Sequence, residues 1–366
     1  MPYKILAINP GSTSTKIGLY HGTTEIFARN INHSAEDIAK IPDITDQLEY
    51  RLEKINAFMA AQDVKATDLA AVVGRGGLLK PMASGTYRVN TAMLNDLKNR
   101  RYGVHASNLG AILADLIARQ GSCLSYIVDP VVVDELAPVA RWTGRPELER
   151  KSIFHALNQK AVAKKYAKSL NRSYGELNLI VAHLGGGISV GCHSHGRVID
   201  VNNALDGEGP FSPERAGTLP AGQFAAMVLD NKLDHNDIAK LLAGKGGLVA
   251  HLGTNDTREV ERRIREGDKM AADVYDAMIY GIAKSIAAAA VPVWGKVDGI
   301  ILTGGIAHAR ILTEKLKEYV GFLAPVIVLA GENELQALAE GAYRVLTGQE
   351  TAKEYYGEAV KALSLV

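Results

Sequence analysis

Cysteine is nearly absent. The 366 residues hold only Cys123 and Cys192, at a spacing that fits no metal or redox motif. This excludes a disulfide-stapled scaffold and a cysteine-built metal site, and predicts a reduced, cytoplasmic setting. Neither sign of charge is in excess: 41 Lys and Arg face 40 Asp and Glu, a net charge of +1. Aromatics make up 6% and interleave with no basic stripe, so no nucleic-acid partner is expected. The most apolar stretch, residues 279–293, contains Lys284 and is stopped by Pro292; it reads as too short for a bilayer and as a buried interdomain or subunit helix. The N-terminus lacks a charged leader followed by an apolar core, so neither export nor membrane insertion is expected. Low-complexity segments and flexible linkers are also lacking. What remains is a globular chain with the length of roughly two ordinary domains.

The chain opens with a phosphate-handling device. Ile5-Leu6-Ala7-Ile8 is a short apolar run that leads into Asn9-Pro10-Gly11-Ser12-Thr13-Ser14-Thr15-Lys16 and then into a second apolar run, Ile17-Gly18-Leu19-Tyr20. Strand, small-residue hairpin and strand follow from this pattern. Gly11 lets the backbone approach an anion closely, the hydroxyls and N–H groups of Ser12, Thr13 and Ser14 can face phosphate oxygens, and Lys16 adds a positive charge. No GxxxxGK[ST] segment occurs, so this is not a P-loop. The device recurs. Leu179-Ile180-Val181-Ala182-His183-Leu184 enters Gly185-Gly186-Gly187, leaves through Ile188-Ser189-Val190, turns at His195-Gly196 and returns through Arg197 to Val201. Downstream, Ala70-Ala71-Val72-Val73 runs into a turn at Gly74-Arg75-Gly76-Gly77, as Gly299-Ile300-Ile301-Leu302 runs into Thr303-Gly304-Gly305-Ile306. Residues 125–129 parallel residues 325–329 in the same way. Helical periodicity covers 44–61, 108–119, 162–170 and 271–290. Each half therefore reads as three consecutive strands followed by alternating helices and strands. The expectation is a duplicated α/β fold of two mixed sheets, with a nucleotide cleft between two domains at 1–148 plus 337–366 and 149–336. Hinges near residues 145–151 and 333–338 would let that cleft open and close.

Chemistry-bearing residues collect at the ends of these elements. His105 and His155 precede amphipathic helices, and His183 ends the strand entering the triple-glycine turn. Arg75 follows a strand end. Arg215 lies in a glycine- and proline-rich stretch, residues 206–218, with little core to support; a guanidinium there suits bidentate contact with carboxylate or phosphate, the alternative being a loop ion pair with Glu208 or Glu214. Asp129 ends a strand, where α/β sheets place site residues, or else caps a helix. Glu334 lies where the last strand meets the final helix. A carboxylate beside nucleotide phosphates suits Mg²⁺, whereas Glu332 or Asn333 could simply cap that helix.

Taken together, residues 8–16, His183 to Gly187 and Thr303-Gly304-Gly305 resemble the acetokinase family of the actin/hexokinase/sugar-kinase superfamily. Arg75-Gly76-Gly77-Leu78-Leu79, residues 105–111, residues 128–135 and Pro213-Glu214-Arg215 extend the likeness over nearly the whole chain, on the family's butyrate branch. The resemblance implies two RNase H-like domains of the actin-like ATPase type, ATP and ADP as nucleotides, Mg²⁺, a short-chain carboxylate substrate converted to an acyl phosphate, and a homodimer or larger homo-oligomer. It also implies roles. Asn9 and Glu334 serve the metal. Arg215 and His155 meet the transferring phosphoryl group. Asp129 is catalytic, and His105 lies on the substrate side. The adenine end lies near residues 303–306. The family's acetate kinases carry an arginine three positions before Arg75, where this chain has Val72, and an asparagine where it has Gly186. Arg75 or His105 would then hold the substrate carboxylate. Alternatives within the same chemistry are kinases for propionate, isobutyrate or another branched acid; one of a different class is a catalytically silent, actin-like nucleotide-binding scaffold.

Overall fold

The computed structural model describes residues 3–41 and 43–357. Residues 1–2 and 358–366, part of the expected first domain, lie outside them. The chain divides into two compact units, Met1–Val133 with Asn333–Val366, and Asp134–Glu332.

The first unit is built on a sheet of β1 (Lys4–Pro10), β2 (Ser14–His21), β3 (Thr24–Asn32), β4 (Ala71–Arg75), β5 (Thr86–Arg88) and β6 (Leu124–Val128), in the order β3-β2-β1-β4-β6-β5. β1, β2 and β3 form an antiparallel meander, β4 and β6 join β1 in parallel, and β5 closes the edge antiparallel to β6. The second unit repeats the plan with β7 (Asn178–Leu184), β8 (Ile188–Ser194), β9 (Arg197–Val201), β10 (Gly299–Gly304) and β11 (Val326–Ala330), in the order β11-β10-β7-β8-β9. Both second strands shift register against the third, at Leu19/Tyr20 and at Cys192/His193. The duplication legible in the sequence is therefore a duplication of topology.

The central strands are continuous apolar runs because both faces of each sheet are covered. In β7, Ile180, Ala182 and Leu184 join a core with the helix Lys269–Ala288 and with Leu312 and Leu316. The alternate residues Leu179 and Val181 join a second cluster with Ala163 and Ala167 of the helix Ala156–Ser169. In the first unit Leu6, Ile8, Ile17 and Leu19 pack with Ile55 and Met59 of the helix Leu48–Ala61 and with Leu109, Leu113 and Ile117 of the helix Asn108–Gly121. Each such large side chain contributes roughly 1.5–3 kcal/mol.

Several expectations need correction. The helix read over 44–61 opens as a 3₁₀ turn, Ile44–Gln47, because the Asp43 carboxylate accepts from the Thr45 N–H at 2.9 Å; the α-helix starts at Leu48. In β4 and β10 the first glycine of each turn still belongs to its strand, and the chain leaves β4 only after Arg75 and β10 at Gly305, which opens a 3₁₀ turn. Gly74 pairs with Ile8 and Ile127 inside the ladder, and Gly304 pairs with Ala330. The apolar stretch near 279–293 is not too short to span a bilayer: Lys269–Val293 has the length and composition to cross a membrane. Ala271, Val274, Tyr275, Met278, Ile279, Ile282, Ala283 and Ile286 nevertheless lie in the core of the second unit. Residues 134–148 group with the second unit, and 333–336 with the first. The Ala137 N–H donates to the Ile199 carbonyl at 2.8 Å, and Arg150 pairs with Asp200 at 2.9 Å and Glu208 at 3.2 Å.

Candidate active site

In the first unit the candidate residues gather at the C-terminal ends of the parallel strands, where open α/β sheets hold ligands. Asn9 lies near the end of β1, Arg75 ends β4, and Asp129 follows β6. Glu334, the first residue of the helix Glu334–Leu346, reaches the same place. Its carboxylate is buried, ion-paired with Arg75 Nη1 at 3.0 Å and hydrogen-bonded by the Asn9 amide. Arg75 Nη1 also donates to Asn9 Oδ1 at 3.4 Å. Its Nε and Nη2 have no partner among the described residues, so part of the guanidinium fork is left for another carboxylate. No three His, Cys, Asp or Glu side chains among the described residues converge as a metal cage. An ion at Glu334 and Asn9 would have to draw its remaining ligands from phosphate and water.

Asp129 caps no helix. It is buried with φ at 37°, a left-handed conformation costly for any residue but glycine. It is locked to Gly85, whose N–H donates to its Oδ1 at 2.7 Å and whose carbonyl accepts from the Asp129 N–H at 3.1 Å. His105 is exposed. Its Nδ1 accepts from the Ser107 N–H at 3.2 Å, so a neutral ring carries its proton on Nε2. In the hairpin, the Gly11 N–H donates to the Ser14 carbonyl at 2.8 Å; Ser12 and Thr13 are exposed, while Thr15 points into the core.

The second unit brings the other candidates together. His155 and His183 stack, with ring centroids 3.7 Å apart and planes tilted by 9°. His183 Nδ1 lies 2.8 Å from Asn158 Oδ1, and its Nε2 lies 3.2 Å from Glu332. His155 Nδ1 lies 2.9 Å from Ser189 Oγ. Behind that hydroxyl runs a buried chain: Gln159 Nε2 donates to Ser189 Oγ at 2.9 Å, Gln159 Oε1 meets His193 Nε2 at 2.9 Å, and His193 Nδ1 meets the Tyr174 hydroxyl at 2.7 Å. Burial lowers the His193 pKa to about 3, with the Lys160 charge adding to the effect, so the ring is neutral. It then donates from Nε2 to Gln159 and accepts from Tyr174 at Nδ1. Ser189 Oγ accepts from Gln159 Nε2 and, at 3.5 Å, from the His155 backbone N–H, so both lone pairs are used and its own proton is left for His155 Nδ1. The chain thus fixes a neutral His155 as the tautomer protonated at Nε2, able to donate to an anion.

The triple-glycine turn is clamped from the loop that carries Arg215. Ser212 Oγ and the Glu214 N–H both donate to the Gly186 carbonyl, at 2.6 and 3.1 Å. Arg215 makes neither of the ion pairs considered from sequence. Its side chain lies against Gly187, and its buried Nε has no hydrogen-bond partner. Thr303 pairs with His183 across β10 and β7. Gly304, at φ 88°, passes against the Leu184 carbonyl where a Cβ would clash, and Gly305 and Ile306 open a 3₁₀ turn beside it. The sequence does not single out the side chains behind the histidine pair, Asn158, Gln159 and His193, nor, in the first unit, Arg51 behind the hairpin. The available signal was Asn158-Gln159-Lys160, a polar run at the start of a helix where every residue is buried.

The acetokinase family matches residues 141–331. Butyrate kinase 2 of Clostridium acetobutylicum is 52% identical over 355 residues, covering 97% of this chain and all of that protein. The chain belongs to the acetokinase family. Among solved structures, acetate kinase of Porphyromonas gingivalis superposes with a TM-score of 0.75 at 18% identity, covering 95% of this chain and 100% of that one. Propionate kinase of Francisella tularensis gives 0.73 at 19%, covering 92% and 98%. At such identities these likenesses speak for the fold alone. The acetokinase fold here is accordingly the duplicated, RNase H-like fold of the actin-like ATPases. The family match spans the part of this acetokinase that holds His155, His183, the triple glycine, Arg215 and residues 303–306.

Proposed function

We propose that this acetokinase is a butyrate kinase, which transfers the γ-phosphoryl group of ATP to butyrate and reversibly gives butyryl phosphate and ADP. The observation that carries this reading is the 52% identity with Butyrate kinase 2 over 97% of the chain. The site geometry supports the chemistry. A short carboxylic acid has a pKa near that of a free glutamate, about 4.3, so at neutral pH the nucleophile is already ionised and needs no general base. What it needs is relief from repulsion as its oxygen bonds to phosphorus and the bond to the β-phosphate oxygen breaks in line. Arg215, with an unpartnered buried Nε, and His155, protonated at Nε2, are suited to the equatorial oxygens, where charge spreads in the transition state. The free part of the Arg75 fork, together with His105, serves the acid's carboxylate. Asp129 holds its own strained turn against Gly85.

The hairpin 9–16 and the turn 185–187 take the ATP phosphates, and residues 303–306 take the adenine side. Asn9 and Glu334 suit Mg²⁺, a hard ion that takes one or two protein oxygens and fills its shell from phosphates and water. When bound, Mg²⁺ supplies neutralising charge to the phosphate oxygens. Val139, Trp142, Val291 and Trp294 of the second unit are each more than 70% exposed, which supports self-association as a homodimer or larger homo-oligomer. Two unpaired cysteines accord with a cytoplasmic setting.

The test is to incubate the protein with MgATP, hydroxylamine and a panel of acids, and to measure acyl hydroxamate. Butyrate should exceed acetate in kcat/KM by about tenfold to a few hundredfold, the worth of two buried methylenes. A maximum at propionate or isobutyrate would move the acid assignment within the family, and no product from any acid would defeat the catalytic reading.

A further inference from the structure

Arg51 is fully buried in the helix Leu48–Ala61, and its guanidinium meets no carboxylate among the described residues. All its contacts are to neutral oxygens: Nη1 to the Ser14 carbonyl and Thr15 Oγ1, both at 3.0 Å, Nη2 to the Ser12 carbonyl at 3.1 Å, and Nη2 and Nε to Gln47 Oε1 at 2.8 and 3.1 Å. Burial lowers its pKa to about 10, so it remains charged at neutral pH. The neighbouring His33, 2.9 Å from Thr15 Oγ1, is neutral at neutral pH and adds no second positive charge, since burial and the Arg51 charge hold its pKa at about 4. A buried charge is retained in proteins when it is paired or coordinated. Here three of its five bonds end on the hairpin 12–15, from within the fold. The same bonds occupy the Ser12 and Ser14 carbonyl oxygens, groups that would repel a phosphate.

We infer that Arg51 is the buried counter-charge of the phosphates bound on the outer face of the hairpin 11–15, and that it sets nucleotide affinity without touching the nucleotide. The inference rests on the reading of that hairpin as a phosphate site. Arg51 works in two ways. It places a desolvated, weakly screened positive charge directly behind the turn. It also ties back two carbonyls, so that the turn presents N–H and hydroxyl groups outward.

Calorimetric titration of the full-length protein with ADP and with adenosine tests this. Arg51→Gln keeps amide donors but removes the charge, Arg51→Lys keeps the charge but loses the fork, and Arg51→Met loses both. ADP affinity should fall about tenfold to a hundredfold in the Gln and Met variants and less in Lys, while adenosine affinity stays within about twofold of wild type. If the Met variant does not fold, the Gln and Lys variants decide between charge and shape. Unchanged ADP binding in Arg51→Gln overturns the inference, as does a parallel loss of adenosine, which marks a merely structural residue. A Gly11→Val variant separates the two levels. ADP binding that ignores Gly11→Val removes the hairpin as the phosphate site. Binding that senses Gly11→Val but not Arg51→Gln leaves the site standing and removes only the role of Arg51.

Discussion

Arg215 illustrates what a single side chain contributes here. Burial lowers its pKa, its Nε is unpartnered, and the loop around it is fastened both to the triple-glycine turn and, through Phe211, to the core of the second unit. An arginine so placed is stabilised by an arriving anion. Arg215→Ala should therefore cost about 3–4 kcal/mol in transition-state stabilisation, hundreds-fold in kcat, with ATP affinity nearly kept; steady-state rates within tenfold of wild type would remove it from the phosphoryl site. Ser189 makes a different prediction, since it acts through His155. In Ser189→Ala, proton–nitrogen correlation spectra should show neutral His155 losing its preference for the Nε2 proton. Ser189→Thr, which keeps the hydroxyl, should keep that preference. A His155 tautomer indifferent to both variants would show that the chain from Tyr174 does not set it. Arg215 was legible in the sequence because it sits where no periodic element explains it. Arg51 was not, because it lies in an ordinary helical period, and only the fold reveals that the face it occupies is turned toward the hairpin 11–15.

Among elements, the contact of β4 with the helix Asn108–Gly121 is backbone against backbone. A Cβ on Gly74 would strike the Gly110 carbonyl, and one on Gly110 would strike the Arg75 carbonyl. In the sequence Gly74 looked like a turn glycine. It is a mid-ladder residue, and pattern alone does not separate the two uses, because both show as a glycine at the end of an apolar run. Gly74→Ala should destabilise the protein by about 1–3 kcal/mol in urea unfolding, and a cost of only a few tenths would mean that the helix simply shifts aside. β8 carries a pH-dependent element. His193 refuses a proton until about pH 3, whereas an unfolded histidine takes one near pH 6.5. Between those values unfolding binds a proton, so stability falls as pH drops, by up to about 1.4 kcal/mol per pH unit. Comparing unfolding at pH 7 and pH 5, His193→Gln should lose less stability than wild type; equal losses would place the acid sensitivity elsewhere.

At the scale of the whole molecule, the duplication was readable because strand, glycine turn and strand recur in the same order, and the topology repeats with it. The divergences were harder to read. β5 is three residues long, and its pairing with β6 is long-range. The inclusion of residues 134–148 in the second unit rests on contacts such as that of the Ala137 N–H with the Ile199 carbonyl, which no local pattern encodes. The first unit is also discontinuous, and this bears on how the chain is made. The helix Glu334–Leu346 packs on β1, β4 and β6 and buries Ala337, Leu338, Ala339 and Ala342. A ribosome emits the N-terminal strands first, but these cannot complete their core until the helix Glu334–Leu346 has emerged, whereas Asp134–Glu332 is contiguous and can close earlier. Folding order should therefore reverse synthesis order. In stalled nascent chains ending just after Glu332 and fully outside the exit tunnel, the second unit should resist protease while the first is cut. Protection of both would show that the N-terminal sheet holds without its closing helix. Because Glu334 arrives on that helix, the carboxylate beside Asn9 and Arg75 is the last part of the first unit's site to be put in place, and no half-made chain carries a complete one.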